Sequence, residues 1–197
     1  MNINAHDVKT LREKTGVGMM ECKKALLEAE GDIEKAITIL RTQGIASAKK
    51  LSVRVAKEGK IFSYIHHSGK IGVLLELGCE TSFSAKTPEF NELGRDLCLQ
   101  ITASSPLYIK RNEIPEDKLS NERDIYQKQL EGTNKPQQII EKIIDGKMEK
   151  FYQETCLLDQ PYIRDPKTTI EKLIAEKIGK IKENITPIRF VIFRQGE

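Results

Sequence analysis

The feature that most restricts what this chain can fold into is a change in its apolar period near Gly59. Before that point apolar residues recur at helical spacing in three short segments divided by glycines, and after it the side chains alternate in twos. A chain that keeps the two periods in separate blocks builds helices and strands from different stretches, which is an α+β arrangement. In residues 1–44, Asn4 is placed to cap a first helix, with Asp7 three positions later and Val8 and Leu11 at helical spacing, and Gly16-Val17-Gly18 ends it. A second helix is predicted from Met19 to about Glu30, with Gly31 as its stop. Asp32 caps a third, where Ile33, Ala36, Ile37 and Leu40 fall at i, i+3, i+4 and i+7 before Gly44 closes the unit.

Residues 45–58 have a different texture: Lys49, Lys50, Arg54 and Lys57 sit among small residues, with no acid before Glu58. They read as a basic linker with helical tendency, a solvated connection in preference to an RNA contact. Residues 59–197 form the larger α+β core. Ile61, Ser63 and Ile65 alternate against Phe62, Tyr64 and His66, the turn Ser68-Gly69 follows, and the apolar run Ile71 to Leu77 completes a β-hairpin. A helix is predicted over 88–102, where Phe90, Leu93, Leu97 and Ile101 keep the 3.6 period and Pro88 suits its first turn. The stretch 104–122 reads as irregular, with a polar helix over 122–130. A stronger helix follows over 136–155, a short one holds Ile170, Leu173 and Ile174, and Ile188 to Phe193 reads as a closing strand that pairs with the hairpin. The expected core is therefore helices packed on an antiparallel sheet of about three strands.

The composition excludes more functions than it suggests. In 197 residues, 32 basic side chains against 29 acidic give a net charge of +3, interleaved and not gathered as nucleic-acid binders gather it. No run approaches the ~18 uninterrupted apolar residues of a membrane span, and Met1 to Asp7 lacks the look of a signal or transit peptide. The expected place of work is the cytoplasm, or a plastid stroma for an organelle-encoded chain. Cys22, Cys79, Cys98 and Cys156 show no C-x-x-C spacing, so they read as reduced and structural. A hydrolytic pair of Cys79 with His66 or His67 lacks an orienting third group and a glycine-rich loop. On adjacent strand positions those two histidines would point to opposite faces, poor geometry for a metal. Nothing in the pattern asks for a cofactor, and a binding role is what is left.

Two runs look built for a partner. Phe83 is a lone aromatic in the polar segment Cys79-Glu80-Thr81-Ser82-Phe83-Ser84-Ala85, between a strand and the helix signal Thr87-Pro88-Glu89, which puts it at the rim of a sheet. Met19 and Met20 follow the turn Thr15-Gly16-Val17-Gly18, and a ~100° step per residue lets one face inward while the other stays exposed.

The run from Leu11 to Leu26, the segment Gly31 to Ala36, the stretch Leu75 to Lys86, Tyr64-Ile65-His66-His67 and Gln160 to Pro166 together resemble the elongation factor Ts family, and the likeness extends through the C-terminal strand. The resemblance implies a guanine-nucleotide exchange factor for elongation factor Tu, working without bond chemistry. It implies that residues 1–44 form a ubiquitin-associated-like head that docks on the partner's nucleotide-binding domain, with Leu11, Met19 and Met20 at docking positions. It implies that Phe83, in Thr81-Ser82-Phe83-Ser84-Ala85, is a wedge acting on the side of the nucleotide site that holds Mg²⁺. The family's core histidine corresponds to His66 or His67, with a contact near the phosphate-binding loop. The family usually reads Thr-Asp-Phe-Val-Ala where this chain has Ser82 and Ser84. Short members pair through their sheets, so a homodimer is expected. The competing expectation is an adaptor whose head alone binds a partner; a weaker third is RNA binding through Lys49 to Lys57.

Overall fold

The computed structural model describes residues 4–133 and 136–196; Met1 to Ile3, part of the run read for a signal or transit peptide, lie outside them. Helix α1 (Ala5–Thr15) begins where the Asn4 side chain accepts a hydrogen bond from the His6 N–H, and ends at Gly16, whose φ of 69° suits glycine. Helix α2 (Met19–Glu28) follows, and Asp32 then accepts from the Glu34 and Lys35 N–H groups to start α3 (Ile33–Leu51). Leu11, Cys22, Ala25, Leu26 and Ala36 are wholly buried and make the small core of this head.

The third helix does not close at Gly44. It continues to Leu51, and Ala48 and Leu51 belong to the main core, so one helix serves both head and core and takes up much of the expected linker. The reason is tertiary. Gly44 lies against Gly179 of α7 (Ile170–Ile181), and a Cβ on Gly179 would come within 3.0 Å of the Gly44 Cα. Close backbone approach offsets the ~1 kcal/mol that a mid-helix glycine costs. Arg41 of α3 reinforces the crossing, ion-pairing with Glu176 and donating to the Thr168 hydroxyl.

The sheet is antiparallel with strands in the order β1, β2, β5. Strand β1 (Glu58–Ile65) pairs with β2 (Ile71–Cys79) from Glu58 opposite Cys79 to Ile65 opposite Gly72, as the hairpin reading requires. Strand β5 (Ile185–Arg194) lies on the other side of β2, with a bulge that skips Ile188 between Pro187 and Arg189. Phe62, Leu75 and Leu77 on the inner face meet Phe90, Leu93, Leu97 and Ile101 of α4 (Pro88–Ser104) and Ile170, Ile174 and Ile178 of α7. Gly94 of α4 makes that contact possible, since a Cβ there would come within 2.4 Å of the Phe62 ring.

Two parts differ from the expected pattern. The polar helix α5 spans Glu116–Leu130, beginning six residues before the expected start, where Glu116 and Asp117 complement the partial positive charge of its first turn. With α6 (Gln137–Thr155) it forms a helical hairpin with its own core of Leu130, Ile144 and Met148. Arg111 fastens the base of that hairpin, bonding Glu149 at 2.8 Å and Asp159 at 2.6–2.8 Å while lying 4.4 Å over the Tyr152 ring. The second difference is a small ladder of β3 (Pro161–Tyr162) with β4 (Asp165–Thr169), too short to carry a readable period.

Candidate partner-binding surface

Strand β2 enters the core so completely that Cys79, its last residue, is fully buried, and four residues later Phe83 is 79% exposed. The backbone between them is held tightly. The Cys79 thiol donates to the Thr81 carbonyl at 3.2 Å, and the Glu80 carboxylate accepts from the Asn184 N–H at 2.7 Å while pairing with Arg54 at 3.5 Å. Beyond Phe83, residues Ser84–Lys86 make a single 3-10 turn, and Ser84 is buried. Thr87 then caps α4 by accepting from the Phe90 N–H at 3.3 Å, and the Asn91 amide donates to the Ala85 and Thr87 carbonyls at 3.2 and 2.7 Å. Ala85 is half-buried against the core, and Thr81 and Ser82 are exposed. A large apolar side chain is thus presented to water from a fixed loop, a form of exposure that a partner's pocket relieves.

The head presents a second apolar group. Met19 and Met20 are both exposed, at 41% and 68%, in the first turn of α2, so the expectation that one of them faces inward is corrected. Their position explains it: Gly18 is the N-cap, and the inward face of α2 is taken by Cys22, Ala25 and Leu26. Leu11 is the opposite case. It is 0% exposed, so it has no surface to offer a partner; its carbonyl accepts the Thr15 hydroxyl at 2.7 Å, and it supports the turn that carries the methionines.

His66 and His67 lie beyond the end of β1, where strand alternation no longer separates them, and their rings stand 4.1 Å apart. His66 is fixed by its ring Nδ1, which shares a hydrogen bond with the Ser68 hydroxyl at 2.9 Å, while His67 is exposed. The expectation of opposite faces fails for that reason. Cys79 sits at the other end of β2. Seven strand steps separate Gly72 from Cys79, about 23 Å, so the Cys79–histidine pair does not form. All four cysteines are free and buried. Burial raises the Cys79 thiol, helped by the Glu183 charge, and pushes Cys98 up to about 11.

One neighbour of the Phe83 loop gave no signal in the sequence. Glu183, in the corner between α7 and β5, bonds Thr81 through both its N–H and its hydroxyl, a contact across 102 residues. The preceding residue, Lys182, reaches the head, pairing with Glu21 at 2.9 Å.

These features define a docking protein: two groups of exposed apolar side chains on fixed backbone, at Phe83 in the rim loop and at Met19 and Met20 in the head. The family model of elongation factor Ts matches residues 2–197. The chain is 54% identical over 197 residues to the elongation factor Ts of Pseudothermotoga lettingae and 54% to that of Fervidobacterium nodosum, with all of each chain covered. It is 55% identical to that of Thermodesulfovibrio yellowstonii, covering 98% of that protein. The chain belongs to the elongation factor Ts family, nucleotide-exchange factors for elongation factor Tu that catalyse no bond chemistry.

Proposed function

We propose that this exchange factor releases GDP by inserting Phe83 as an apolar wedge beside the Mg²⁺ side of the nucleotide site, while Met19 and Met20 dock on the nucleotide-binding domain. The observation that carries this reading is the 79% exposure of Phe83 on a loop whose flanking residues are tied down. An exchange factor must bind the nucleotide-free GTPase better than the loaded one, and linkage then weakens nucleotide binding by the same factor. Burying the exposed ring is worth roughly 1.5–3 kcal/mol, comparable with an ordinary coupling energy of about 1–3 kcal/mol. Displacing the ion that bridges protein and phosphates speeds nucleotide release. The test is release of a fluorescent GDP analogue from elongation factor Tu by substoichiometric amounts of this protein; an unchanged release rate sinks the reading.

The working unit in this reading is a homodimer. The outer sheet face carries Ile61, Ile65, Leu74, Ile188, Val191 and Phe193, all exposed, with Phe193 at 63%. An exposed apolar face on a three-stranded sheet, crossed here by the Glu76–Arg189 ion pair, is the kind of surface a second copy covers through a two-fold contact. The histidine turn lies at the far end of β2 from Phe83, and that separation favours two copies acting on one GTPase, with His66 or His67 near the phosphate-binding loop. Phe193→Glu is expected to convert a dimer to a monomer by sedimentation; a wild-type monomer at micromolar concentration refutes the pairing. The relatives named are bacterial, which favours a bacterial cytoplasm over a plastid.

A further inference from the structure

The loop that presents Phe83 is held from a distant part of the chain. Glu183 accepts two hydrogen bonds from Thr81, its N–H to Oε2 at 3.0 Å and its hydroxyl to Oε1 at 2.8 Å. The Thr81 hydroxyl oxygen in turn accepts the Ser84 N–H at 3.3 Å. The residues on both sides of the Ser82-Phe83 tip are therefore fastened to one carboxylate. Burial alone would push the Glu183 carboxyl up, but hydrogen bonds from the Ser84 and Thr81 side chains and from the Thr81 and Glu80 backbone outweigh it and hold it below its ordinary value. The carboxylate is itself placed by the fold: Lys182, just before it, ends α7 in the left-handed region at φ 65° and turns the chain toward the loop.

We propose that Glu183 is a positioning residue for nucleotide exchange, holding residues 81–84 so that Phe83 meets its partner already in place. The proposal rests on the reading of Phe83 as the wedge. A loop ordered before docking loses no further freedom when it binds, so the affinity for the nucleotide-free partner keeps its full value. Without the carboxylate, the Thr81 N–H and hydroxyl turn to water and the tip gains conformations that do not insert.

The experiment compares wild type, Glu183→Ala, Glu183→Gln, Phe83→Ala and the double variant Phe83→Ala/Glu183→Ala for release of a fluorescent GDP analogue from elongation factor Tu. Glu183→Ala is expected to slow release roughly five- to tenfold, the scale of one lost ordering contribution. Glu183→Gln, which keeps a carbonyl oxygen for the Thr81 N–H, should fall between. In the Phe83→Ala background the Glu183 substitution should add nothing, because the loop then has no ring to present. Two results overturn the proposal: exchange by Glu183→Ala equal to wild type, or the same fold-loss with and without Phe83, which is what general damage to the fold produces. Should Glu183→Ala fail to fold, Thr81→Val removes the hydroxyl at nearly constant shape and is expected to slow exchange as Glu183→Gln does. The wedge reading fails separately, when Phe83→Ala alone matches wild type.

Discussion

Phe83→Ala separates the two states of this protein cleanly. In the free protein the ring is 79% exposed, so its removal takes little apolar surface out of the core. Substitutions at such sites stay within about 0.5 kcal/mol. In the proposed complex the ring enters a pocket, and complete burial of a Phe is worth roughly 1.5–3 kcal/mol. Scaling by the exposed fraction of 79% leaves about 1.2–2.4 kcal/mol to be gained on docking. At 1.4 kcal/mol per tenfold, the variant should stimulate nucleotide release roughly 7- to 50-fold less well. The assay is decay of fluorescence from a labelled GDP on elongation factor Tu, at several substoichiometric concentrations of each form, beside thermal melts of both. Melting should coincide within a degree or two. Stimulation by the variant within twofold of wild type, with unchanged melting, refutes the argument that this ring supplies the coupling.

The other expectations concern the fold that carries the loop. Gly94→Ala places a methyl group within 2.4 Å of the Phe62 ring; overpacking of about 1–3 kcal/mol exceeds the ~1 kcal/mol gained in helix propensity, so the melting temperature should drop by a few degrees. Arg111→Ala removes the ties to Glu149 and Asp159 and the stacking on Tyr152. Amide exchange should quicken in α5 and α6 and stay slow in α4, and equal protection in both forms would show that the hairpin needs no such fastening. Glu92 is held below the ordinary glutamate value of 4.5 by the hydrogen bond and charge of Lys177, and Glu149 by the hydrogen bond of Arg111. Both are ionised in full at neutral pH and add stability there, which is lost as pH falls from about 4.5 through their lower folded values. Melting temperature measured across that range should decline on acidification, and less steeply in Glu149→Gln.

The loop around Phe83 was legible because the signals that shape it are local. A strand period that stops, a polar run with one aromatic, and Thr87-Pro88 as a helix start need no distant partner to be read. The hairpin, α4, α6 and the closing strand were readable for the same reason. What escaped depends on contacts between distant residues. Gly44 looks like a stop until Gly179 is packed against it, when it becomes the crossing point of a helix that runs on to Leu51. Leu11 and the methionines sit in similar helical patterns, yet one is wholly buried and the others exposed, because the remaining helices decide which face is covered. The histidines changed for a smaller reason, since β1 ends one residue before them.

The sequence by itself therefore determined most of the secondary elements, the family and the exposed aromatic of the rim loop, since periodicity, caps and turn residues act over a few positions. Tertiary structure alone decided which of Leu11, Met19 and Met20 reach the surface and what holds the Phe83 loop. Glu183 is one acid among 29 acidic residues in the sequence. Folding brings it 102 positions back along the chain to Thr81, and a hydrogen bond that reaches only ~3 Å cannot be read from residues so far apart.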